Sequence, residues 1–178
     1  MHTFLVFSGS LRRDSYNSAL ARAFVERAPE GTEFVLGDLS TLPLYNQDLE
    51  ESFPESATQL KERIRNARGV VLVTPEHNRS VPAALKNFLD WTSRPYGNNA
   101  WAGKPVYVAG ASIGNIAAAL AQYDLKKILL YLDAYVLGQP EFYLGVAQDK
   151  VAEGKIADEG TLERVDAALS AFVAFAGR

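Results

Sequence analysis

Hydroxyls, a glycine and a guanidinium crowd the stretch Ser8-Gly9-Ser10-Leu11-Arg12, and Ser15 and Asn17 follow close behind. An apolar run, Thr3 to Phe7, enters this turn and a helical pattern leaves it. Backbone N–H groups at a helix start carry partial positive charge, serine hydroxyls donate, and an arginine can hold an anion with two N–H groups at once. The stretch is therefore a phosphate cradle by its chemistry. Two further segments have the same loop character. Thr74-Pro75-Glu76-His77-Asn78-Arg79-Ser80-Val81-Pro82 can present backbone amides and the Asn78 amide to the edge of a planar heteroaromatic. Gly110-Ala111-Ser112-Ile113-Gly114-Asn115 is a small-residue turn where backbone can come close to a ligand.

The elements that must position these loops follow from periodicity. Thr3–Phe7, Glu33–Leu36, Gly69–Thr74, Pro105–Ala109 and Ala134–Leu137 are short, rich in valine and aromatic residues, and bounded by turn residues, as buried strands are. Between them run helical stripes: Leu20, Ala23, Phe24 and Ala28; Ala57, Leu60, Ile64 and Ala67; Leu162, Val165, Leu169, Phe172 and Ala176. Pro82 sits where a first-turn proline is tolerated, ahead of Leu85, Phe88, Leu89 and Trp91, and a further helix is expected from Ile116 to about Leu132. Strand and helix alternate, which predicts right-handed crossovers, a parallel sheet covered by helices on both faces, and ligands beyond the carboxyl ends of the strands. All three loops lie at such ends. The long irregular stretch Leu42–Pro54 carries Leu42, Leu44, Tyr45 and Phe53, and so is expected to pack on the site or on a partner subunit.

With 178 residues and 48% hydrophobic content, the chain suits one well-buried core, read as a single domain over 1–178. It has no cysteine, and its histidines are His2 and His77 alone. A disulfide framework, a thiolate nucleophile and a cysteine or histidine metal cluster are thereby set aside, and redox work would need a bound cofactor. A net charge of -3 gives no electrostatic drive toward nucleic acid or anionic lipid. Lacking a recognisable leader or membrane span, the chain is expected in the cytoplasm, with small molecules as ligands.

Taken in order, these motifs resemble the flavodoxin-like NAD(P)H-dependent FMN reductases, a family that includes bacterial quinone and chromate reductases. The resemblance covers almost the whole chain. It rests on Gly9-Ser10-Leu11-Arg12 with Ser15 and Asn17, on Leu42-Pro43-Leu44-Tyr45-Asn46-Gln47-Asp48, on Pro75-Glu76-His77-Asn78 with Leu85-Lys86-Asn87, and on Ser93-Arg94-Pro95-Tyr96-Gly97 leading to Gly103-Lys104-Pro105-Val106. It implies an α/β three-layer sandwich with a five-stranded parallel sheet in the order 2-1-3-4-5. It further implies FMN as cofactor, with the phosphate on Ser10, Arg12, Ser15 and Asn17, the ring along Pro75, Glu76, His77 and Asn78, and Ser112 and Gly114 near the ring and ribityl chain. NADPH or NADH would be the donor; a quinone, chromate, an azo compound or free flavin would be the acceptor, and no side chain is needed as a catalytic acid or base. The chain departs from the family pattern in two places. His77 stands where tyrosine is usual, and Gly114-Asn115-Ile116 stands where a Gly-Gly pair is usual.

Other readings compete with these. The serine turn can be an ordinary tight turn, Asn17 can cap or pack the helix start, and Glu76 can act through its backbone with its carboxylate in water. Trp91, Tyr96 and Trp101 suit either core or a pocket rim. A dinucleotide-binding fingerprint and a Walker loop are both absent. The principal alternative to an enzyme is a flavodoxin-type FMN electron carrier with no nicotinamide site of its own. The apolar segment Ile128-Leu129-Leu130-Tyr131-Leu132 and the Leu42–Phe53 loop predict a homodimer or homotetramer.

Overall fold

In the computed structural model, which describes residues 2–177, the apolar runs are strands. β1 (His2–Ser8), β2 (Thr32–Gly37), β3 (Gly69–Val73) and β4 (Pro105–Ala111) pair in parallel in the order β2-β1-β3-β4. The edge beyond β4 holds two consecutive segments: β5 (Tyr135–Val136) lies beside Pro105 and Val106, and β6 (Phe142–Leu144) beside Ala109 to Ala111. The expected order 2-1-3-4-5 is the observed one. Its last strand, expected as one piece over Ala134–Leu137, is split, because Gly138 and Pro140 interrupt it. Phe142-Tyr143-Leu144 is too short for alternation to reveal it.

Side chains alternate along these strands and meet a layer of helices on each face. Phe4 and Val6 of β1, Val71 and Val73 of β3, and Tyr107 and Ala109 of β4 join one core with α1 (Tyr16–Glu26) and α5 (Glu159–Ala176). Leu5 and Phe7, Val70 and Leu72, and Val106 and Val108 join the other, with α2 (Glu55–Asn66), α3 (Ala83–Thr92) and α4 (Ala119–Tyr131). Burial on both faces is why the runs read as unbroken apolar stretches rather than as alternating ones. A short hairpin, β7 (Val151–Ala152) with β8 (Lys155–Ile156), was not expected from the sequence; Arg22 of α1 donates to its Gly154 carbonyl at 2.7 Å.

Trp91 and Trp101 are core residues, and Tyr96 is 78% exposed. Each indole N–H finds an acceptor: Trp91 donates to the Pro43 carbonyl at 2.7 Å and Trp101 to the Thr92 hydroxyl at 2.9 Å. Asn87 holds the 42–54 loop from both sides, donating to the Pro43 carbonyl at 2.9 Å and accepting from the Tyr45 N–H at 2.7 Å. The loop thus packs on α3 of its own domain, at residues that do not line the cleft described below, and leaves Leu44 82% exposed.

Candidate functional site

β1, β3 and β4 end on the same side of the sheet, so the three loops converge there on a cleft of about 670 Å³. That size suits a ligand as large as a nucleotide cofactor. Ser10, Arg12, Ser15, Asn17, Pro75, Glu76, His77 and Ser112 all line it. Asn78 and Gly114 do not. Asn78 sits with Arg79 at the tip of a tight turn whose base is a mutual backbone pair between His77 and Ser80, at 3.1 and 3.0 Å. Both tip residues have left-handed backbone, φ 50° and 66°, as a two-residue hairpin turn of this hand requires. Gly114 is exposed and spends its N–H on the Ser112 hydroxyl at 3.1 Å.

One end of the cleft is the cradle. Ser15 is the N-cap of α1, its hydroxyl accepting from the Asn17 and Ser18 N–H groups at 3.2 and 3.3 Å. Ser10 likewise accepts from the Arg12 N–H at 3.3 Å. Each hydroxyl is an acceptor toward backbone, which leaves its proton available to a ligand in the cleft. Arg12 is exposed, with its guanidinium 5.3 Å from the centre of the Tyr16 ring, which keeps the cation at the rim. Two hydroxyl donors, a guanidinium and a helix N-terminus match a phosphate. Gly9 belongs to the floor: a Cβ there would stand 3.2 Å from Pro82 and Leu85.

Ser8, which the sequence placed with the cradle hydroxyls, is not part of the cleft wall. Its hydroxyl faces that of Ser18 at 3.0 Å and accepts from the Ser10 N–H at 3.3 Å, so it shapes the turn from behind. Asn17 lines the cleft, but its side-chain amide is engaged within the protein. Its amide donates to the Ala111 carbonyl at 3.0 Å and accepts from the Ala111 N–H at 2.9 Å, both in the interior. The register Val73 to Ala109, continued by two residues, sets Pro75 opposite Ala111. Pro75 has no N–H and the chain leaves the sheet there, so the Asn17 side chain supplies the partners that β3 can no longer offer.

The Glu76 carboxylate does not face water, the alternative its sequence context left open. Its side chain is 11% exposed; one oxygen accepts from the Arg79 guanidinium at 3.1 Å, and the other from the Leu120 and Ala121 N–H groups of α4 at 3.1 and 3.3 Å. His77 is exposed at the mouth.

Sequence reasoning missed part of the lining: Tyr16 and the Ala83-Ala84 start of α3. Pro82 is the N-cap rather than the first helical residue, and no side chain bonds to that helix start. A second helix N-terminus, this one uncapped, therefore opens on the cleft, and the small residues Ala83 and Ala84 were the available signal for it.

Residues 3–149 match the family described as NADPH-dependent FMN reductase. Over 175 residues the chain is 45% identical to the quinone reductase of Escherichia coli K12, with 96% of this chain and 93% of that protein covered. It is 43% identical over 171 residues to the 2-hydroxy-1,4-benzoquinone reductase of a Burkholderia species, with the same coverage of 96% and 93%. Among solved structures it superposes on the flavoenzyme NAD(P)H:(acceptor) oxidoreductase of Paracoccus denitrificans with a TM-score of 0.90 at 41% identity, covering 99% of this chain and 98% of that one. The family match contains all three loops of the cleft, and a phosphate cradle at one end of a loop-walled slot is what FMN requires: the chain belongs to the NADPH-dependent FMN reductase family, as an FMN-dependent oxidoreductase with NAD(P)H as donor.

Proposed function

We propose that this chain, acting as one domain over residues 1–178, passes electrons from NADPH or NADH through FMN to quinones. The observation that carries the reading is the joining, in one cleft, of the cradle with the walls made by Pro75 to His77 and by Ser112 with Ile113. The names of the relatives, which are quinone reductases at 43 and 45% identity, support the acceptor class. FMN, when bound, supplies the electron transfer itself. Ser10, Arg12, Ser15 and the α1 N-terminus hold its phosphate, and Pro75, His77 and Ser112 border its ring. Asn17 and Glu76 contribute by fixing the loops. Chromate, azo compounds and free flavin are acceptors of the same scaffold class, which loop differences would select. Membership in an enzyme family weighs against the electron-carrier alternative, as does a net charge of only -3 where a docking carrier needs a strongly acidic face.

The deciding experiment is an anaerobic absorbance titration of the purified protein reconstituted with FMN. Flavin bands should bleach on adding NADPH or NADH and return on adding benzoquinone. Steady-state rates should give parallel double-reciprocal lines, because donor and acceptor share one cleft and must take turns. Bands that persist with both nucleotides would leave an electron carrier, and intersecting lines would rule out the shared site.

Arg12→Ala should weaken FMN binding by roughly 10- to 100-fold, the range expected for losing a charged hydrogen-bond donor to phosphate. Arg12→Lys should fall between the two, since an ammonium keeps the charge without the fork. Quenching of flavin fluorescence on titration measures both, and an unchanged Kd in Arg12→Ala would remove Arg12 from the cradle.

No helix among the described residues is long and apolar enough to cross a membrane. We place the protein in the cytoplasm as a homodimer or homotetramer. The support for assembly is α4, which buries Ala121, Leu125 and Leu129 and yet leaves Leu120, Tyr123, Leu130 and Tyr131 exposed. Light scattering should give at least twice the monomer mass, and the monomer mass alone would refute the assembly.

A further inference from the structure

We propose that Glu76 is a positioning residue that caps α4 from another loop, and thereby holds the 112–118 turn in the form that walls the cleft. The helix cannot cap itself. Its N-cap residue is Ala118, which has no side-chain acceptor, and no cap bond comes from that position. The two N–H groups that the Glu76 carboxylate takes, on Leu120 and Ala121, are the second and third of the helix, the pair that a serine or aspartate at the cap would take. A carboxylate there also faces the positive end of the helix dipole, at a place where little water competes.

The turn that Glu76 secures is one that would not keep its shape unaided. Ala117 and Ala118 both have left-handed backbone, φ 55° and 62°, a region that disfavours residues with a Cβ, and both are buried. Such geometry persists where its surroundings over-determine it. Here the surroundings are the Ala118 carbonyl accepting from the Gln122 N–H at 3.0 Å, the Ala119 N–H donating to the Ile116 carbonyl at 3.1 Å, and the Glu76 carboxylate above the first turn. One turn further along α4, Asp124 returns the link by accepting from the Ser80 hydroxyl at 2.7 Å. Loop and helix are therefore tied twice, at Glu76 and at Ser80, on either side of the hairpin that carries Asn78 and Arg79. Ser112 and Ile113, at the start of the same turn, are the cleft wall. Glu76 thus joins two loops of the site through hydrogen bonds to protein alone, and its effect on FMN is indirect. The assignment rests on the FMN reading only for its second readout.

The test compares Glu76→Ala, Glu76→Gln and Arg79→Ala in the FMN-loaded protein by two readouts: hydrogen exchange over residues 112–121, and Kd for FMN by fluorescence titration. A lost cap corresponds to about a tenfold change, so Glu76→Ala should exchange about tenfold faster across 112–121, with the rest of the chain unchanged, and should bind FMN about tenfold more weakly. Glu76→Gln keeps an oxygen that can accept from Leu120 and Ala121, and should stay within about threefold of the original on both readouts. Arg79→Ala removes the other partner of the carboxylate and should do the same. Equal damage in Glu76→Gln and Glu76→Ala would assign the effect to charge and overturn the proposal. So would unchanged exchange in Glu76→Ala, or acceleration spread over the whole chain. If Glu76→Ala fails to fold, Glu76→Asp, one methylene too short for both N–H groups, should show the same local acceleration. Absence of FMN binding by the unsubstituted protein would defeat the site reading, while exchange in the apoprotein would still decide the cap.

Discussion

Asn17→Leu should destabilise the protein by about 3 kcal/mol, because it strands two buried backbone groups whose unpaired cost is roughly 1–3 kcal/mol each. The leucine fills nearly the same space, so the loss is chiefly polar. The Ala111 N–H and carbonyl, paired with Asn17 at 2.9 and 3.0 Å, have no alternative partner in β3, whose ladder stops before Pro75. For a chain of this length the loss corresponds to roughly 6–12 °C in Tm. Thermal melting without FMN measures it free of the cofactor's own stabilisation. A shift below about 3 °C, the size expected when only one weak bond is lost, would show that the pair is not what joins the cradle helix to β4. FMN affinity should fall as well, since α1 and the Ser112 turn are then no longer held together.

Gly110→Ala should have an effect of the same order for the opposite reason: excess volume. A Cβ at this position would stand 2.6 Å from the Thr74 carbonyl oxygen, 2.9 Å from the Gln122 amide nitrogen and 3.2 Å from the Ala118 Cβ. The first of these is backbone and cannot swing aside. Over-packing of this kind typically costs about 1–3 kcal/mol and more where backbone must move, and here the strands that must part, β3 and β4, are those that launch two of the cleft loops. Urea unfolding should show the loss at constant m-value. A variant as stable as the original would mean that β3 and β4 can separate locally without consequence.

Much of the architecture was readable because of how thoroughly it is buried. β1, β3 and β4 are covered on both faces, so their apolar runs stand out without periodicity, and Gly and Pro punctuate them. The cradle was readable for a different reason: hydroxyls and a guanidinium next to a helix start are local chemistry. What the sequence withheld is pairing at long range. Asn17 and Ala111 are 94 residues apart, and Glu76 and Leu120 are 44 apart, so nothing near either residue announces its partner. The start of α4 was misplaced for a related reason. Ala117 and Ala118 are strong helix formers by propensity, yet tertiary contacts hold them left-handed and delay the helix to Ala119. The missing Gly-Gly pair, which the resemblance led one to look for, leaves this turn to be held by packing and by a distant carboxylate instead.

The hairpin at the mouth of the cleft separates what can change from what cannot. Its base is a backbone pair between His77 and Ser80, and its tip, Asn78 and Arg79, projects into solvent. Replacing the tip therefore changes the exposed rim beside the cleft, and at Arg79 one partner of Glu76, while the backbone pair beneath it stays. Sequence change is thus met more easily at these two exposed positions than at the pair beneath them, as one recuts the teeth of a key and keeps its shaft.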